Sequence, residues 1–68
     1  MLLNHIGNTI KQRRKELDIT QAVLAELAEV SKNTVYKLER GINNPTVEVV
    51  EKLADVLGLE LIIQVKKI

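Results

Sequence analysis

Cysteine, phenylalanine and tryptophan are absent from this chain, and tyrosine occurs once, at Tyr36. Without cysteine there is no disulfide and no zinc site built on thiolates. The single histidine, His5, and the scattered carboxylates do not have the spacing of a metal-ligand set. No apolar run approaches the about 18 residues of a membrane span. The N-terminal stretch MLLNHIGNTI lacks the basic start, apolar stretch and small-residue cleavage site of a secretory signal. These absences predict a soluble protein of a reducing, cytoplasmic compartment. Three glycines and one proline leave little material for loops. The remaining mixture, rich in Leu, Ala, Lys and Glu, favours helices.

What is present describes one small folded domain. Hydrophobic residues make up 46% and charged residues 28% of the chain, which is the profile of a globular protein rather than a disordered one. With one aromatic residue, the core must be aliphatic. A chain of 68 residues buries only about 60% of its unfolded surface. Such a core is too small to enclose a substrate pocket of about 300 Å³ or more. Glu51, Asp55 and Glu60 have no nucleophile and orienting group beside them in the pattern, and His5 stands alone as a surface residue. An enzyme is not expected, and no cofactor or metal is implied. The formal net charge is only +1, with a pI near 8.1. A polyanion partner would therefore require the basic residues to be focused on one face.

Periodicity divides the chain into four helices. The first is predicted from about Asn4 to Leu17, with Ile6, Ile10 and Leu17 at helical spacing. Its polar side carries Lys11, Arg13, Arg14 and Lys15, a pattern that also suits a plain solvated face. Thr20 is an N-cap for a short helix over Gln21 to Ala28. Ser31 caps a third helix through about Arg40, and Gly41 ends it. Val35 and Leu38 are its buried pair, so Lys32, Asn33, Thr34, Tyr36 and Lys37 face outward. Asn43, Asn44 and Pro45 form a turn. Thr46 caps a fourth helix from Val47 to Leu57, with Val50, Leu53, Ala54 and Leu57 as its apolar stripe and Glu48 in the first turn, where the helix dipole favours an anion. Gly58 stops it.

Beyond Gly58 the period changes. Leu59, Leu61, Ile63 and Val65 alternate with their neighbours at strand spacing. The chain contains no second strand, so the predicted remedy is a second copy, paired across a two-fold axis in an antiparallel ribbon. A frayed terminus or a short fifth helix on the core are the alternatives. The expected fold is thus all-α: a compact bundle of four helices over residues 1–58, with residues 59–68 as a short C-terminal β-strand that serves as a dimerisation tail.

The segment TQAVLAELAEVSKNTVYKLERG, from Thr20 to Gly41, resembles the helix-turn-helix of the lambdoid repressor and Cro family, also called the XRE family. The resemblance runs from Ile6 and Gly7 to the Leu57–Leu59 region. Its joint pattern is Gln21 opening the second helix, Leu24 and Ala25 within it, Ser31 before the third, Val35 and Leu38 buried, then Glu39, Arg40, Gly41, Pro45 and Thr46. It implies a four-helix fold whose third helix reads DNA. It places Lys32, Asn33 and Lys37 at base edges, where Asn suits adenine and Lys suits guanine. It places Gln21 at a phosphate, with Ser31, Thr34, Tyr36, Asn43 and Asn44 as further backbone-side candidates. Tyr36 packing against the second helix is the alternative for that residue. The resemblance also implies a pair between Arg14 and Glu39, which is structural in character. One position departs from the family. Glu29 stands in the turn where a glycine with positive φ is usual, which puts the approach angle of the third helix in question.

The tail, GLELIIQVKKI, is similar to that of HipB-type antitoxins, which implies an autorepressor that also binds a HipA-type kinase toxin. Two functions follow. One is a homodimeric repressor that reads a palindrome, of antitoxin or stand-alone phage type. The other is an interaction protein whose main task is to neutralise a kinase toxin.

Overall fold

The computed structural model describes residues 2–62, with side chains from His5 onward. Four helices occupy them: α1 (Leu2–Glu16), α2 (Gln21–Ala28), α3 (Lys32–Arg40) and α4 (Val47–Leu57). α1 packs on α3 and α4, and α2 packs on the same two helices.

Each boundary has a chemical cause. Thr20, Ser31 and Thr46 all sit in extended backbone, and each hydroxyl accepts the N–H three residues on, from Val23, Thr34 and Val49. This satisfies a donor that the first helical turn leaves without a partner. All four helices close by one device. A residue with positive φ follows the helix and is itself followed by an aliphatic residue: Asp18 then Ile19, Glu29 then Val30, Gly41 then Ile42, Gly58 then Leu59. In each case the N–H of the aliphatic residue donates to the carbonyl five residues back, at 2.8–3.2 Å. This is the Schellman closure, in which the second residue folds back toward the helix. Ile19, Val30 and Leu59 do so, packing half-buried against the core, whereas Ile42 remains exposed.

The core is aliphatic throughout, centred on Ile10, Leu24, Val35, Leu38, Leu53 and Leu57, with Ala25 and Ala28 where helices cross closely. Truncating one such Leu to Ala typically costs about 2–5 kcal/mol, a large share of what a domain of this size has.

Three expectations need correction. Leu17 is not part of the α1 stripe. The helix ends at Glu16, and Leu17 is 40% exposed in the turn. The basic residues of α1 are not one solvated face. Lys11 and Lys15 are exposed, but Arg14 is buried, and half-buried Arg13 donates from Nε to the Leu57 carbonyl at 2.8 Å. That contact places a cation at the C-terminus of α4, where the helix dipole is negative. Lastly, Leu59 does not open the expected strand, because it is taken up in closing α4. Ile63 and Val65 lie outside the described residues. Beside the tail, α1 and α4 flank an open groove of about 330 Å³ lined by Ile6, Ile10, Val50, Ala54, Leu59 and Leu61. It is as large as the pocket judged beyond this chain's reach, but it lies open at the surface.

Gly7 determines how α1 meets α3. It is buried, and a Cβ on it would overlap the Leu38 carbonyl oxygen and stand 3.0 Å from that of Glu39. The two helices therefore touch backbone to backbone at the C-terminal half of α3. Gly7→Ala should gain about 1 kcal/mol of helix propensity and lose about 3 kcal/mol to overpacking. The net loss, about 2 kcal/mol, corresponds to a fall in Tm of roughly 10 °C. Thermal melting followed by circular dichroism checks this, and an unchanged or higher Tm is incompatible with the close approach.

Candidate nucleic-acid interface

α3 turns two different faces to its surroundings. Val35, Leu38 and Glu39 are buried, while Lys32, Asn33, Tyr36, Lys37 and Arg40 are exposed. Asn33, Tyr36, Lys37 and Arg40 fall at i, i+3, i+4 and i+7, one stripe of the helix. The three cations of α3 lie on its outer surface, and its one carboxylate points inward. α4 shows the opposite sign: Glu48, Glu51 and Asp55 are exposed, beside Lys52, which pairs with Glu48 at 3.6 Å. A chain of net charge +1 thus gathers a local positive surface by segregating its charges.

The buried carboxylate is what holds α3 in place. Arg14 Nε donates to Glu39 Oε2 at 2.7 Å, and Arg14 Nη2 donates to Oε1 at 3.0 Å, a bidentate fork. The third guanidinium nitrogen, Nη1, donates to the Ile19 carbonyl at 2.9 Å. Gln21 Nε2 donates to Glu39 Oε1 at 3.1 Å. One carboxylate therefore ties together α1, the turn after it, the start of α2 and the end of α3. The hydrogen bond to Glu39 raises the Arg14 pKa above its already high ordinary value. The stabilisation tied to that shift is fully present at every lower pH and is lost only in strong alkali.

The other expected residues divide clearly. Lys32, Asn33 and Lys37 stand on the exposed side of α3. The Ser31 and Thr34 hydroxyls bond to each other at 2.7 Å while Ser31 caps α3, so both serve the helix start. The Gln21 amide is engaged by Glu39, which leaves its backbone N–H, in the first turn of α2, without an intrahelical acceptor. Tyr36 is 43% exposed rather than packed under α2, and the Arg40 guanidinium lies over its ring. Asn44 is exposed, and Asn43 is half-buried with its Oδ1 shielded and unpartnered. Glu29 has φ 59° and ψ 42°, so it adopts the left-handed conformation that glycine usually supplies. Its N–H still closes α2. Arg40 was not singled out by sequence, although its place four residues after Tyr36 and seven after Asn33 was a readable signal. Among the described residues no three of His, Asp or Glu gather as a metal site, and no helix is long and apolar enough to cross a membrane.

Removing Arg14 would leave the Glu39 carboxylate buried without a countercharge, with only the Gln21 amide beside it, at a cost of about 3–5 kcal/mol. A domain of this length has a total stability of only about 3–10 kcal/mol. Urea denaturation of Arg14→Ala should therefore show a protein that is largely unfolded or barely stable. The double variant Arg14→Met with Glu39→Leu removes both charges and should recover most of the loss. A double variant as unstable as the single one would show that the damage is not an orphaned charge.

Comparison with known proteins agrees with this geometry. The family profile described as Helix-turn-helix matches residues 10–63. A protein of Methanococcus vannielii described as an HTH-type transcriptional regulatory protein is 38% identical over 60 residues, covering 88% of this chain and 18% of that protein. The immunity repressor protein of Bacillus phage phi105 is 38% identical over 56 residues, covering 82% of this chain and 39% of the repressor. The chain thus spans well under half the length of either relative. The crystal structure of a mutant of the restriction-modification controller protein C.Esp1396I superposes with a TM-score of 0.83 at 27% identity, covering 88% of this chain and 78% of that one. The left-handed Glu29 has therefore not displaced the fold from that of its relatives. With more than half of its length matched by the family profile, the chain belongs to the helix-turn-helix family, of the XRE type.

Proposed function

We propose that this chain is a sequence-specific DNA-binding transcriptional regulator, a homodimeric repressor that inserts α3 into the major groove of a palindromic operator. The observation that carries this reading is the exposed stripe of α3, polar and cationic, with its one carboxylate buried behind it. Lys32 and Asn33 stand at the N-terminal end of the helix, the end that meets base edges in this mode of docking. Asn33 suits bidentate pairing with adenine, and Lys32 and Lys37 suit guanine O6 and N7. The N-terminus of α2 and Asn44 face the phosphate backbone on either side. The chemistry is recognition without covalent steps, and occupancy of a promoter represses by excluding polymerase.

Two copies supply the affinity that one small module lacks, with half-sites about 34 Å apart along the duplex. The apolar groove beside the tail, with Leu61 and Ile62 exposed next to it, supports dimerisation through that region. A kinase-toxin partner is not part of the proposal. That idea rested on the tail alone, and the similar proteins named above are not described as antitoxins. The relatives are described as regulatory, immunity-repressor and controller proteins, which favours repression as the main task.

Footprinting on DNA upstream of the protein's own gene should show two protected half-sites about one helical turn apart. The log–log salt slope of binding should be near −6 if each subunit neutralises about three or four phosphates. Lys32→Ala and Asn33→Ala should relax base preference at one position per half-site by about 1–3 kcal/mol. Uniform weakening on all sequences would show these residues to be phosphate contacts, and a slope shallower than about −2 rules out this mode of binding.

Sedimentation tests the dimer separately. The full chain should be dimeric, and deletion of residues 60–68, which keeps Leu59 to close α4, should leave a folded monomer. A truncated chain that remains dimeric rejects the tail as the interface.

A further inference from the structure

The three arginines of this chain have different surroundings. Arg13 is engaged by the Leu57 carbonyl and Glu16, and Arg14 by Glu39 and the Ile19 carbonyl. Arg40 is exposed, and among the described residues no carboxylate pairs with it. Its guanidinium lies over the Tyr36 ring, 5.5 Å from the centroid. Its sequence neighbour Glu39, the nearest acid in α3, is turned inward and held by Arg14 and Gln21.

We propose that Arg40 is a DNA-phosphate contact and that Tyr36 is its positioning residue. This inference rests on the DNA-binding reading above. Of the proposed base contacts, Lys32 and Asn33 open α3 and Lys37 lies three residues before Arg40, which ends the helix. Arg40 is seven residues beyond Asn33, about 10 Å farther along the axis. A helix entering a groove about 12 Å wide by its N-terminal end brings its other end to the groove wall, where the phosphates are. A guanidinium is the side-chain group best matched to two phosphate oxygens at once, because its donors form a planar fork. An arginine free in solvent samples many rotamers and must be ordered on binding. The aromatic face removes part of that freedom beforehand, since a cation is attracted to the ring. The guanidinium donors remain available, since among the described residues none of the side-chain hydrogen bonds or ion pairs uses them. Tyr36 thus acts through its ring, and its hydroxyl is not required.

The test measures binding to the footprinted operator and to an unrelated duplex across a salt series, by fluorescence anisotropy. Arg40→Ala should weaken both complexes by the same factor and make the log–log salt slope shallower by about 2 per dimer, about 0.9 for each subunit. Tyr36→Phe should bind like the unaltered protein, and Tyr36→Leu should weaken both complexes by less than Arg40→Ala does. Combining Tyr36→Leu with Arg40→Ala should add nothing further. Melting curves accompany each variant. A lower Tm for Arg40→Ala with an unchanged salt slope would mark a charge that serves only the helix end, and overturns the proposal. Loss confined to the operator would make Arg40 a base contact and also overturns it. So would loss in Tyr36→Phe, or additive losses in the double variant, since Tyr36 would then touch DNA itself. If the unaltered protein binds no duplex, both this inference and the DNA-binding reading fail. If it binds and Arg40→Ala binds equally well, only this inference fails.

Discussion

A carboxylate buried where three helices meet needs compensation, and the way Glu39 obtains it organises this molecule. Arg14 reaches it from α1 with two donors and spends its third nitrogen on the turn that follows α1. Gln21 reaches it from the first residue of α2. The pair is not evidence of great stability by itself, since a hydrophobic pair of equal volume often does as well. Its consequence is positional. A bidentate fork has one good geometry, so the angle and depth of α3 relative to α1 are defined at the end of the helix farthest from the expected base contacts. Gly7 adds a second constraint on the same crossing, by letting the two backbones touch. Both act on the inner face of α3 and leave its outer face unencumbered.

The helix ends show a similar economy of means. Four closures of one geometry use glycine twice and acidic residues twice. A left-handed backbone costs a residue with a Cβ on the order of 1 kcal/mol. At Glu29 and Asp18 that strain is offset by the hydrogen bonds of the closure and by the aliphatic residue that follows, Val30 or Ile19, packing on the core. The turn between α2 and α3 can therefore dispense with glycine and still superpose on its structural relative.

Local signals were legible in the sequence, and contacts between distant residues were not. Thr20, Ser31 and Thr46, with Gly41 and Gly58, mark boundaries because caps act within four residues of themselves; α2 and α4 follow them to the residue. The core stripe of α4 and the outward stripe of α3 follow from period alone. The inward turn of Arg14 does not, since helical spacing cannot say which of several adjacent cations meets a carboxylate 25 positions away. Only the resemblance to the XRE family implied it. The role of Gly7 depends on α3 arriving beside it, and that of Arg13 on the end of α4, 44 residues on. The alternation after Gly58 was misread over Leu59 because two demands compete there. A strand pattern and a helix closure both call for an aliphatic residue, and the closure, being local, takes Leu59. Arg40 entered the sequence pattern only as a residue beside Gly41, because its stacking partner Tyr36 shows only once the helix faces are placed.

The division of α3 into two faces has a bearing on how such a protein changes over time. Lys32, Asn33 and Lys37 make no side-chain hydrogen bond or ion pair with the scaffold among the described residues, and surface substitutions away from caps and cores usually alter stability by less than about 0.5 kcal/mol. Everything that sets the pose of α3 resides in Gly7, Arg14, Gln21, Ser31, Val35, Leu38 and Glu39. What the helix holds on to and what it presents are thus separate sets of residues. On the proposed DNA-binding reading, drift at the presented set moves the protein from one operator to another without passing through an unfolded intermediate. Duplicated copies of such a gene are then free to diverge in target while sharing a scaffold, each acquiring a new address on the chromosome through a handful of exposed positions.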